Sequence, residues 1–188
     1  MGSVHATIDE SFREFIEAQQ IYFVATAPLS AEGHVNLSPK GLDSLRILDD
    51  RTVVYCDLVG SGIETVAHVQ ENGRIVLMFC AFEGAPNIVR LHGQGEVIHH
   101  AHPDFAATAQ LFPVLTGLRC FVRIRCERIS KSCGFGVPLY EFKGHRSELI
   151  DWAVKKQVSG VRDYIERKNR TSIDGLPGLD LPDFPAAT

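Results

Sequence analysis

The stretch from Val35 to Gly93 constrains the fold most. It carries three apolar runs rich in β-branched and aromatic residues, one short helical segment, and a loop after Asp57 that holds two glycines, a serine, a glutamate and a threonine. Thr52 to Leu58 reads as a strand. Ser61 to Glu71 reads as a helix with Val66 and Val69 facing inward, stopped by Asn72-Gly73. Arg74 to Phe82 and Ile88 to His99 are strands on either side of a turn at Glu83 to Pro86. Strands joined by short turns, with only small helices between them, predict a mainly β fold: an antiparallel barrel with peripheral helices in place of a doubly wound parallel sheet.

The flanks extend this pattern. Thr7-Ile8-Asp9-Glu10 has the spacing of a capping box, and apolar Ile8, Phe12, Phe15 and Ile16 follow at helical intervals, so a helix over Asp9 to Gln19 is expected. Ile21 to Ala27 and His34 to Ser38 suit a hairpin, and Leu45 to Leu48 a short strand. His102 to Leu111 looks helical. Leu118 to Ile129 is a strand that alternation divides into one face of Cys120, Val122, Ile124 and Cys126 and another of Arg119, Phe121, Arg123, Arg125 and Glu127. Arg146 to Lys168 is helical with a break expected at Ser159-Gly160, and the final IDGLPGLDLPDFPAAT is expected to lie extended over another surface or to be mobile at its end.

Composition narrows the function classes. With 188 residues, 45% hydrophobic and 22% charged, the chain suits one globular core with an appendage. A net charge of −4 and scattered basic residues give no general attraction for nucleic acid. No apolar run approaches the roughly 20 residues of a membrane span, and MGSVHATIDESFREF lacks the basic-then-apolar order of a signal peptide, so a cytoplasmic protein is expected. The five cysteines form no C-x-x-C pair and read as buried reduced thiols, Cys133 being the exposed one. His99, His100 and His102 have no cysteine or carboxylate at a zinc spacing, so no metal is expected. No G-x-S-x-G motif or recognisable nucleophile–base pair is present, and no catalytic residue is assigned.

Two segments can hold an anion. In Ser38-Pro39-Lys40-Gly41 a hydroxyl and an ammonium stand close together where glycine permits backbone approach, although a surface turn with a solvated lysine has the same composition. From Asp57 to Thr65 a strand passes through a glycine–serine loop into a helix, whose N-terminal N–H groups favour negative charge and whose Ser61 and Thr65 add hydroxyls. Ser61-x-x-Glu64 is equally the spacing of a capping box, which would only start that helix. Arg90 is the sole charge within Ile88 to Leu91, on one strand face with Ile88 and His92.

The order of a helix, a hairpin ending in VNLSPKG, TVVYCD, the glycine–serine loop, a short helix ending ENGRIVLMF, and NIVRLHGQGEVI resembles the pyridoxamine 5'-phosphate oxidase-like family of flavin-binding split barrels. The likeness runs over roughly the first 130 residues, and SCGFGVPLYEFKG, the helices after it and NRTSIDGLPGL resemble the extension of one branch of that family. It implies a six-stranded antiparallel split barrel over residues 1–145, with a C-terminal helical extension and tail over 146–188. It also implies a homodimer and a flavin mononucleotide (FMN) in each of two clefts between the subunits, acting on a small-molecule substrate. Carried over by position, Ser38 and Lys40 would reach the flavin phosphate or ribityl chain, Tyr55, Cys56 and Asp57 would line the flavin, and Ser61 and Thr65 would contact the phosphate. Arg90 matches a family arginine.

Where true oxidases have Ser-Arg-Lys, this chain has Ser61-Gly62-Ile63, so two phosphate-binding cations are replaced. Lys40, Arg74 or an arginine of the partner subunit would have to supply their charge. The alternatives are deazaflavin F420 or haem in the same cleft, or a non-catalytic flavin sensor or carrier. The extension is expected to pack on the partner and partly cover the flavin, with Trp152 against the ring.

Overall fold

The computed structural model describes residues 2–114 and 116–180. In chain order the elements are β1 (Ser3–His5), α1 (Glu10–Glu17), β2 (Tyr22–Thr26), β3 (Asn36–Lys40), β4 (Leu45–Ile47), β5 (Thr52–Leu58), α2 (Glu64–Asn72), β6 (Arg74–Cys80), β7 (Ile88–Ile98), α3 (Phe105–Ala109), β8 (Leu118–Ser132) and α4 (Glu148–Lys168). The strands form one curled antiparallel sheet of eight in the order β3-β2-β6-β7-β8-β5-β4, with β1 paired to β8. Six of them, β2, β3 and β5 to β8, have five residues or more and make the expected split barrel, while β1 and β4 add three residues each.

Alternation decides which side faces in. Val24, Leu77, Phe79, Val89, Leu91, Tyr55, Val122 and Ile124 fill the barrel, closed from outside by Phe12 and Ile16 of α1 and Val66 and Val69 of α2. β5 is buried on both faces, because Val54 and Cys56 pack with Phe121 under Phe112 and Phe105. The face of β8 holding Phe121 is therefore covered by the 99–112 segment at that point, and only its far end, with Arg125 and Glu127, meets solvent.

Local signals decide the helix ends. Asp9, not Thr7, caps α1: its Oδ1 accepts the Phe12 N–H at 3.0 Å, because the chain bends at Ala6 and Thr7, is extended at Asp9 and turns helical only at Glu10. α2 begins three residues later than expected, at Glu64 after Ile63, with no side-chain cap. It ends at Gly73 in the left-handed region (φ 72°), whose N–H reaches Val69 O. α3 is shorter than the expected span.

In α4 the helical dihedrals break at Gln157 (φ 58°, ψ 175°) and not at Ser159-Gly160. The break serves packing. In a continuous helix Ala153 and Ile165 would stand about 120° apart, yet both are buried in the barrel core with Val161. The extension thus packs on its own barrel. Leu179 is buried there too, and the backbone of Gly178 and Leu179 bonds to Arg170 O and Asn169 O, so the tail is laid over a surface as far as residue 180. The rest of the predicted tail, 181–188, lies outside the described residues.

Cys56, Cys80, Cys120 and Cys126 are buried and free, and Cys133 is exposed, as the sequence suggests. Among the described residues no helix is long and apolar enough to cross a membrane.

Candidate functional site

Among the described residues the sheet does not close: β3 has β2 as its only strand neighbour, and on the far side the order ends at β5 and β4. Side chains bridge this seam. On β3, residues two apart share a face, so Asn36, Ser38 and Lys40 all point across it. Facing them are the end of β5, the 59–63 loop, the start of α2 and the start of β8. Between them lies a cavity of about 300 Å³ lined by Asn36, Ser38, Lys40, Ser61, Glu64, Thr65 and Arg119, with Gly60 and Gly62 in its wall.

Asp57 organises the charges from below. It is fully buried; Lys40 Nζ donates to its Oδ1 at 2.8 Å, and Arg119 donates to its Oδ2 through Nε at 2.9 Å and Nη2 at 2.6 Å. Arg119 Nη1 also donates to Gly62 O at 2.7 Å, tying β8 to the loop. Burial by itself would push the Asp57 carboxyl up. Arg119, then Lys40, outweigh it and bring the group down to about 2.

A bulge makes this triad possible. Asp57 pairs with Cys120 but Leu58 with Leu118, so Arg119 is the extra residue and turns inward beside Asp57. Strict alternation had placed it on the Phe121 and Arg123 face.

Neutral groups form a second layer. Asn36 Nδ2 donates to Thr65 Oγ1 at 2.8 Å and to Thr26 Oγ1 at 3.3 Å, Ser38 Oγ donates to Asn36 Oδ1 at 3.2 Å, and Thr26 Oγ1 bonds His68 Nδ1 at 2.9 Å. Thr65 accepts in this network, which leaves its own O–H to donate. Ser61 stands outside α2 and exposed, so it is a cavity residue and not the cap that its spacing suggested.

The structure thus brings together Ser38, Lys40, Ser61 and Thr65, with Asp57 beneath. Tyr55 is wholly buried, 5.7 Å from Lys40 Nζ to its ring centroid, and Cys56 is on the opposite face of β5, where burial, despite nearby Arg46, pushes its thiol up to about 12. Arg90 is elsewhere, donating to Ser132 Oγ at 3.0 Å, and Trp152 packs edge-on against Tyr164 at 5.0 Å. Neither lines this cavity. Arg74 donates to Pro28 O and Asn72 Oδ1 and does not line this cavity, whereas Arg119 does.

Three cavity residues escaped the sequence reading. Asn36 was legible, two residues before Ser38 on the same strand face. Glu64 was hidden by its match to a capping box, and Arg119 by the bulge.

The model of the family described as pyridoxamine 5'-phosphate oxidase matches residues 8–133. A curated relative, the pyridoxamine 5'-phosphate oxidase family protein ustO of Aspergillus flavus, is 34% identical over 196 residues, covering 95% of this chain and 78% of that protein. The crystal structure of HupZ from Group A Streptococcus is 27% identical with a TM-score of 0.51, covering 65% of this chain and 91% of that chain. A Clostridium acetobutylicum protein related to general stress protein 26, of the pyridoxinephosphate oxidase family, is 17% identical with a TM-score of 0.51 and covers 76% of this chain and 99% of its own; it shares the fold.

Proposed function

The chain belongs to the pyridoxamine 5'-phosphate oxidase family, and from that premise we propose that it is an FMN-dependent oxidoreductase acting on a small molecule, with the flavin phosphate held in the seam cavity. The observation that carries this reading is the convergence of Lys40, Arg119, Ser61 and Thr65 on one concave polar site. The donor set suits a phosphate. Lys40 gives one N–H to Asp57 and keeps two, and the Thr65 and Ser61 hydroxyls can donate.

Bound FMN would supply hydride and electron transfer, and this chain's residues supply position and electrostatics. Lys40 and Arg119, fixed by Asp57, orient the anionic end without having to reorganise, and the buried Asn36–Thr26–His68 network holds Thr65 in place. Cys56, kept as a neutral thiol, takes no part as a nucleophile. We place the substrate and flavin ring in clefts completed by a second copy, in keeping with the open edge at β3, where Leu37 and the adjacent Val35 are exposed.

Titrating the purified protein with FMN and following the flavin absorption and fluorescence tests the reading. Binding at micromolar concentrations is expected, weakened about tenfold to a hundredfold in Lys40→Ala by loss of a charge-assisted bond. Absence of FMN binding, or displacement of FMN by F420 or haem at lower concentrations, would overturn it. A reduced complex that passes electrons to no acceptor would leave a carrier in place of an enzyme.

A further inference from the structure

Among the described residues, Glu64 is the one carboxylate in the wall of the seam cavity. Its Oε1 accepts the Ile173 N–H of the tail at 3.3 Å, and a Cβ at position 62 would fall on its Oε2, so the carboxylate lies folded back over Gly62. It occupies the position that a side chain at 62 would need. The charges around the cavity then cancel: Lys40 and Arg119 are both committed to Asp57, and Glu64 offsets what remains. A phosphate dianion would meet a like charge, whereas a singly protonated phosphate could donate its P–OH to that carboxylate.

We infer that Glu64 selects the singly charged form of the phosphate ester, by accepting a hydrogen bond from its P–OH, and so makes cofactor retention depend on pH. This rests on the flavin reading above. A phosphate monoester loses its second proton near pH 6, so the selection acts where cells vary. The charged and titratable groups on the elements around the cavity are Lys40 from β3, Asp57 from β5, Arg119 from β8, Asp174 of the tail with its partner His34, and His68 and Glu71 further along α2. Because several of these also titrate, the test needs a ligand without phosphate.

FMN and riboflavin are titrated in parallel between about pH 5.5 and 8, a range that brackets the phosphate ionisation, using wild type, Glu64→Gln and Glu64→Ala. In wild type FMN affinity falls about tenfold across the range while riboflavin affinity does not. Both variants bind FMN about tenfold more tightly than wild type at the upper pH and lose the slope, with riboflavin unchanged, a control that misfolding would move. Unaltered FMN affinity and slope in both variants overturn the role of Glu64 and leave the flavin reading standing. If no variant binds FMN at any pH, the flavin reading fails and the inference with it.

Discussion

At the scale of single residues, Asp57 matters more to the site than any side chain that touches the cavity. It holds Lys40 and Arg119 together from a position with no exposure of its own. Removing its charge would leave a buried guanidinium uncompensated, which costs about 3 kcal/mol or more. Asp57→Asn should therefore lower the melting temperature by roughly 10 °C in a scanning experiment. The pH dependence has a definite sign. The folded carboxyl is brought down from its ordinary 3.8 to about 2, so its contribution of about 2 kcal/mol is complete above pH 3.8 and is lost as the pH falls through 2. Acid unfolding curves of wild type and Asp57→Asn should converge there. Residue chemistry explains why this site was half legible. Ser38, Lys40, Ser61 and Thr65 declare their donors in the sequence, but a counter-ion under the floor and an arginine turned inward by a bulge have no one-dimensional signature.

At the scale of elements, the strands from β2 to β8 could be read to within two or three residues, while β1, three residues paired to β8, was not foreseen. β5 matches its expected limits, because a run buried on both faces contrasts sharply with the turns around it. Helices were less exact, since caps depend on where the chain leaves extended geometry. Thr7 and Ser61 both had the right chemistry two residues too early. α4 shows packing overriding local preference. Gln157 sits in a region of dihedral space that is almost confined to glycine, so that Ala153 and Ile165 can both reach the core. Gln157→Gly should relieve that strain and raise stability by about 1 kcal/mol in urea titration, net of the entropy that glycine adds to the unfolded chain.

At the scale of the whole molecule, the tail and the site form one structure although they are far apart in sequence. Asn169 Nδ2 donates to Gly60 O at 3.0 Å, Ile173 N to Glu64 Oε1, and Asp174 takes both the backbone N–H of His34 at 2.8 Å and its ring Nδ1 at 2.6 Å. The 59–63 loop is thus clasped by Asn169 at Gly60 O as well as by Arg119 at Gly62 O. Nothing in the composition of the tail predicted which surface it would cover, because that depends on where the barrel leaves polar backbone unpaired. Leu179→Ala, which removes the clasp's apolar anchor, should cost about 2 kcal/mol and weaken FMN binding in parallel. Loss of stability with unchanged FMN affinity would separate the clasp from the loop.

The seam between β3 and the far edge of the sheet also has a temporal consequence. Every other long strand is held by ladders on both sides, but β3 has one ladder and a few side-chain bridges. The amides of Asn36, Leu37, Ser38 and Lys40 should thus exchange their hydrogens with solvent by opening events much cheaper than global unfolding. A molecule seated among Lys40, Thr65 and Arg119 would span the gap and act as the missing rung, slowing that exchange in proportion to its occupancy. The barrel's slowest and fastest motions would then differ most when the cavity is empty.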